Sequence, residues 1–124
     1  MQDLLGKILI YQNEKGYTKL DVYFEGDTIW LSQKSLAELY QVRIPTINEH
    51  VKTIYTDGEL DENSTIRDFL IVQNEGNSRI ERTVKHYNFQ IILAIGYRVR
   101  SNVGMHFRNW ASSVLTDYTQ KALR

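Results

Sequence analysis

The spacing of apolar and polar positions along the 124-residue chain changes several times, and each change marks an element boundary. Between Ile8 and Leu31, the β-rich segments KILIYQ, YTKLDVYF and TIWLS alternate with the turn-forming NEKG and EGD, which predicts a three-stranded meander over 8–31. Within it Leu20, Val22 and Phe24 fall on one face by the period of two, with Lys19, Asp21 and Tyr23 on the other. From Ser32 the period becomes helical. Ser32 is placed to cap a helix carrying Leu36, Leu39 and Tyr40 at i, i+3 and i+4. A second helix is expected from Pro45, whose missing N–H suits a first helical position; it carries Ile47, Val51 and Ile54 and ends at Gly58.

Two further β-rich stretches, Thr65–Gln73 and Arg79–Tyr87, flank the turn segment Asn74–Ser78 and predict a hairpin over 65–87. Asn88 can cap a helix over 88–99, and Ser101 or Asn102 another over 102–124. This last helix carries a stripe of Phe107, Trp110, Ala111, Val114, Leu115, Tyr118 and Ala122. With no linker or low-complexity run in sight, the elements read as one α+β domain, winged helix-turn-helix-like, with an N-terminal meander, a later hairpin and two C-terminal helices.

The segment SQKSLAELYQVRIPTINEHV carries the functional expectation. Gln33, Ala37, Val42 and Ile47 stand at relative positions 1, 5, 10 and 15, the skeleton in which a small residue lets two helices cross and a second helix is held for the major groove. Two positions depart from the pattern: Gln41 stands where the connector is usually glycine, and Arg43 or Ile44 where a hydroxyl cap would serve better. Turning Ile47, Val51 and Ile54 inward leaves Thr46, Asn48, Glu49, Lys52 and Thr53 outward. Asn48 can then read adenine, Arg43 guanine or phosphate, Lys52 phosphate, and Glu49 cytosine; Gln33 and Thr46 complete the candidate helix contacts.

Charge sharpens this expectation. The chain is formally neutral, yet residues 1–81 hold 8 Lys/Arg against 14 Asp/Glu, while residues 82–116 hold Arg82, Lys85, Arg98, Arg100 and Arg108 and no carboxylate. An anionic partner for that later segment is the functional reading, and a solvated basic face is the bland one. Arg79, Arg82 and Lys85 are placed as a phosphate-gripping wing, with Arg100 in the loop between the last two helices. Arg98 and Arg108 fit equally well as structural arginines, stacked on aromatics or paired with the acidic cluster Asp57–Glu62.

The absence of cysteine removes disulfides and thiolate zinc sites. His50, His86 and His106 are scattered, and no serine has an evident base, so no enzyme, metal or cofactor is expected. The longest apolar run, Ile91–Ile95, falls far short of the roughly 20 residues a membrane span needs, and a cytoplasmic protein is the expectation.

Beyond these readings, TIWLSQKSLAELYQVRIPTINEHVKTIYTDGELDENSTIRDFL followed by KHYNFQIILAIGYRVRSNVGMHFRNWAS resembles the RhuM family of bacterial virulence-associated proteins. Its most specific pieces are GELDENS, the run of Tyr87, Asn88, Ile92, Gly96, Tyr97, Arg98, Val99 and Ser101, and the group Phe107, Arg108, Trp110 and Ala111. The resemblance implies a DNA-binding role, names no chemistry, and suggests the N-terminal part of a longer protein. Double-stranded DNA is therefore the expected partner, with regulation of transcription or of a mobile element as settings. A homodimer paired through the end of the last helix is expected as well, since Tyr118 and Ala122 extend the stripe toward the chain end. The alternative is a protein-interaction module that never touches DNA.

Overall fold

A computed structural model describes residues 7–12, 19–99 and 102–122, with side chains described at 8–12, 19–99 and 102–117. Three strands come first: β1 (Lys7–Gln12), β2 (Lys19–Glu25) and β3 (Thr28–Ser32). They form the expected antiparallel meander, and Gly26 and Asp27, both at positive φ, make the two-residue turn between β2 and β3. Helices α1 (Gln33–Tyr40) and α2 (Ile44–Thr56) follow, then a single helical turn, α3 (Glu62–Thr65), and the long hairpin β4 (Ile66–Glu75) and β5 (Ser78–Asn88). Helices α4 (Phe89–Val99) and α5 (Asn102–Ala122) follow as the last described elements.

Four boundaries differ from expectation. Helix α2 begins at Ile44, one residue before Pro45, because the first turn leaves its N–H groups unbonded and accepts proline at its second position as readily as its first. The hairpin strands run closer to their turn, which is only Gly76-Asn77, with Gly76 at φ +62. Asn88 ends β5 and still caps α4, its side chain accepting from Ile91 N–H at 3.3 Å. Helix α3 was not expected; Asp61 caps it by accepting from Ser64 N–H at 3.0 Å.

The five strands of the described residues join one antiparallel sheet in the order β1-β2-β3-β5-β4. β3 therefore pairs on one side with its neighbour in the meander and on the other with β5, some 55 residues later, through Trp30–Asn88, Leu31–Tyr87 and Ser32–His86. One sheet face meets the helices: Leu20, Val22, Phe24, Ile29, Leu31 and Tyr87 pack with Leu36, Leu39, Ile47, Ile54, Ile91, Ile92, Ile95, Phe107 and Ala111 in the main core. The stripe on α5 belongs to this core as far as it is described, with Trp110, Val114 and Leu115 packed against it. Tyr118 and Ala122, on which the expected dimer turns, lie outside the described side chains.

The opposite sheet face holds a second, aromatic cluster. Tyr23 on β2 stacks on Phe69 of β4 at 5.3 Å across two intervening strands, and Phe69 and Tyr23 both meet His86, at 4.7 and 5.0 Å. Trp30 closes it edge-on to Phe69 and donates Nε1–H to the Glu25 carbonyl at 3.0 Å. Ring contact between β2 and β4 requires the sheet to curl, making this face concave. Glu25 is buried at its edge and is held by Arg67 at 2.6 Å. Among the described residues, no helix is long and apolar enough to cross a membrane.

Candidate nucleic-acid interface

The connection between α1 and α2 is three residues long, Gln41–Arg43, and its geometry follows from backbone bonding. Ser32 accepts from Ser35 N–H at 3.1 Å and starts α1. At the other end Gln41 adopts the left-handed conformation, φ 58 and ψ 46, so that its own N–H and that of Val42 both reach the Ala37 carbonyl. Glycine usually takes this position because a side chain is strained there. Gln41 offsets the strain locally: its Nε2 donates to the Glu38 carbonyl at 2.6 Å, occupying an acceptor the helix end leaves free. Arg43 then stands at the cap of α2 in extended backbone, without a side-chain capping bond, so its guanidinium is not committed to the helix end.

Helix α2 buries Ile47, Val51 and Ile54 and exposes Asn48, Glu49, Lys52 and Thr53, with Thr46 half-buried. Arg43 is exposed and Gln33 half-buried at the start of α1. Among the described residues no ion pair neutralises Arg43 or Lys52. Lys34, which the motif reading passed over, shares a surface depression with Arg43, Glu38 and Gln41 and adds a second exposed cation there. The signal for it was available: it sits next to the Ser32 cap, on the polar side of α1.

The hairpin does not present its three expected wing cations on one face. By strand alternation Arg79 and Lys85 share one face of β5 and Arg82 the other, the face of Val84 and His86. That second face lines a cleft of about 510 Å³ whose other wall includes Gln33, Lys34, Ser35 and Ile44, so of the three cations only Arg82 is on the hairpin side turned toward the start of the helix pair. Arg82 lies 3.8 Å from Glu75 and Arg79 lies 3.7 Å from Glu81, while Lys85 stands directly across the ladder from Asp68. Counting Arg67, Arg79, Arg82 and Lys85 against Asp68, Glu75 and Glu81 leaves the hairpin at +1. Arg100 lies outside the described residues.

Arg98 and the acidic residues of the motif segments sort into structure. Arg98 reaches Glu59 at 3.1 Å and Asp57 at 4.0 Å, tying the end of α4 to the segment after α2. Thr65, fully buried, donates to the Asp61 carbonyl at 2.6 Å and shares a 2.7 Å hydrogen bond with the Tyr55 hydroxyl, which docks α3 on α2. GELDENS is thus a joint between elements. Among the described residues no three His, Cys, Asp or Glu side chains gather as a metal site requires. His86 is buried, its Nδ1 bonded to the Val84 carbonyl at 2.9 Å, and burial pushes its pKa below the ordinary value of 6.5.

Tyr40 fastens α1 to the C-terminal helices. Its buried hydroxyl donates to the Ile92 carbonyl at 2.5 Å, and the ring lies over Gly96 of α4 and Gly104 of α5. A Cβ at Gly96 would stand 2.8 Å from that hydroxyl, and one at Gly104 3.0 Å from the ring. The two glycines therefore let the first helix of the pair seat directly on α4 and α5.

Residues 64–124 match the family model described as Virulence protein RhuM family. The matched half holds the hairpin, α4 and α5, with Gly96, Tyr97, Arg98 and the Phe107–Ala111 group, and leaves α1 and α2 outside it. The chain matches no curated protein and no solved structure. Over residues 64–124, just under half of its length, the chain is similar to the RhuM family.

Proposed function

We propose that this chain is a double-stranded DNA-binding domain of winged helix-turn-helix form, with α2 as the helix placed in the major groove. One topological relation carries the reading. β3 runs directly into α1 and also pairs with β5, so the helix pair is inserted between strands of one sheet and the hairpin emerges beside the start of that pair. Such an arrangement braces the second helix from behind and leaves its other side open. The open side carries Asn48 and Glu49 for base edges, with Arg43, Lys52 and Lys34 for phosphates on either flank. Arg82 is the hairpin cation placed to join them.

A modest phosphate count follows from the same geometry. Two of the hairpin cations face away from the cleft and all three have a carboxylate near them, so neutralisation falls mainly on Lys34, Arg43, Lys52 and Arg82. With about four phosphates neutralised, the logarithm of affinity should fall with the logarithm of salt at a slope near −4. Mobility shifts on a random duplex between low and moderate salt test this, and a selection from a random duplex pool then finds the preferred site. A folded sample that binds no duplex at low salt would overturn the reading. The near-neutral hairpin with exposed Leu70 and Val72 is the observation that favours the alternative, a protein-interaction module.

A further inference from the structure

Among the described residues, strand β4 is an edge of the sheet, ten residues long, and carries two of the exposed large apolar side chains, Leu70 at 62% and Val72 at 44%. Open edges of this length are usually blunted by charge, proline or a bulge, because their free N–H and C=O groups pair with other strands. Here Ile66–Glu75 holds no proline, and residues 69–74 hold no charge. We infer that β4 is a self-association edge, pairing antiparallel with β4 of a second copy about a two-fold axis at Ile71.

Backbone parity and side-chain chemistry select that register together. The two-residue turn makes Glu75 and Ser78 a hydrogen-bonded pair, so alternate residues back along β4, namely Gln73, Ile71, Phe69 and Arg67, also turn their backbone groups toward β5. Asn74, Val72, Leu70 and Asp68 turn theirs outward. Antiparallel pairing needs outward residues opposite outward residues, which admits centres on Leu70, Ile71 or Val72 and forbids those halfway between neighbours. Centring on Ile71 sets Leu70 opposite Val72 twice over, so the exposed apolar groups of both copies meet in one four-residue cluster on the same face. It also sets Arg67 opposite Glu75 at each end and Asp68 opposite Asn74, so every charge meets an opposite or neutral partner. Centring on Leu70 puts Asp68 against Val72, and centring on Val72 puts Leu70 against Asn74 and Phe69 against Glu75; neither pairs an opposite charge. Four outward pairs at two bonds each give about eight backbone hydrogen bonds. A self-complementary patch of this kind is what a two-fold interface requires.

The chain has no cysteine, which makes the test direct. At the axis the two Ile71 Cα atoms would stand about 4.5 Å apart, within disulfide range, whereas the two Gln73 Cα atoms, offset by four residues along the strand, would stand about 14 Å apart. Ile71→Cys should therefore form a covalent dimer under mild oxidation at least roughly tenfold faster than Gln73→Cys, which lies on the same strand face. Sedimentation of the parent chain should show a concentration-dependent dimer that Val72→Pro abolishes, since the Val72 N–H is not bonded to β5. Unchanged circular dichroism of Val72→Pro separates a blocked edge from a damaged hairpin, and the cysteine pair reports on register even where that variant fails to fold. Equal cross-linking at both positions, a monomer at hundreds of micromolar, or a dimer indifferent to Val72→Pro, such as one paired through the end of α5, would overturn the inference.

Discussion

Replacing Gly96 with alanine should reverse its effect on stability according to whether residue 40 is tyrosine or phenylalanine. With Tyr40 present, the new methyl stands 2.8 Å from a buried hydroxyl that is bonded to the Ile92 carbonyl, so either the ring shifts and the bond is lost or the two helices part. Overpacking of this kind costs about 1–3 kcal/mol, and loss of the bond adds about 1 kcal/mol. Against this, alanine within a helix gains about 1 kcal/mol over glycine. The net expectation is a loss of about 1–3 kcal/mol. Tyr40→Phe alone should cost about 1 kcal/mol, because Ile92 keeps its own helical acceptor bond. In the Tyr40→Phe background the nearest remaining ring atom is 3.4 Å from the methyl, an ordinary contact, so the helix gain is no longer opposed and Gly96→Ala becomes neutral or stabilising by up to about 1 kcal/mol. Urea unfolding of the parent, both single variants and the double variant gives the coupling energy directly. Equal costs for Gly96→Ala in the two backgrounds would show that Tyr40 is not what holds position 96 to glycine.

Acid should weaken the fold through His86. Its folded pKa is pushed down by burial, so the unfolded chain takes up the proton first; this contribution to stability is level above about pH 7 and declines as pH falls below about 6.5. Thermal melts of parent and His86→Phe across pH 5–8 check it, and an equally steep acid decline in the variant would place the cause elsewhere. On DNA, Asn48→Ala should cost about 1–3 kcal/mol on the preferred site and less on random duplex, whereas Lys52→Ala should weaken both alike and lower the salt slope by about one. Arg98→Ala should lower stability on the order of 1 kcal/mol, since its partners Glu59 and Asp57 are partly solvated, and leave duplex affinity unchanged. A mobility shift in which Arg98→Ala loses affinity while staying folded would contradict its structural assignment.

What was legible in the sequence, and what was not, divides along sequence separation. The meander, both helices of the pair, the hairpin and the capping roles of Ser32 and Asn88 depend on periods and caps confined to a few neighbouring residues, and these were read with boundaries a residue or two off. Helix α3 escaped because one turn has no period to detect. The β3–β5 ladder escaped for another reason: Leu31 and Tyr87 look like any buried strand residues, and nothing local says that they face each other. The aromatic cluster was hidden because Tyr23, Phe69 and His86 sit on strand faces that read as solvent-facing until the sheet curls over them. For the candidate interface, the outward face of α2 could be derived by elimination once its apolar stripe was placed. The sign of the hairpin field could not, because it depends on which carboxylate each arginine meets.

The same division explains how the family-matched half and the unmatched helix pair depend on each other. Gly96 and Gly104 lie within residues 64–124, and read alone they look like weak points in two helices, each costing about 1 kcal/mol relative to alanine. Their reason lies outside the matched segment, in Tyr40, whose ring needs the space and whose hydroxyl needs the Ile92 carbonyl. Since α1 is seated by that contact and α2 packs on both α1 and α4, the orientation of Asn48, Glu49 and Lys52 depends on α4 and α5 as well as on the pair itself. If α2 reads DNA as proposed, a substitution that unseats Tyr40 should consequently blunt discrimination between the preferred duplex and random duplex before it unfolds the domain, although no residue it touches lies on the proposed DNA face. Measuring both affinities for Tyr40→Phe and Gly96→Ala, alongside their stabilities, tests this: if discrimination survives in a variant that has lost about 2 kcal/mol of stability, the helix pair holds its own geometry and α4 and α5 serve only the core.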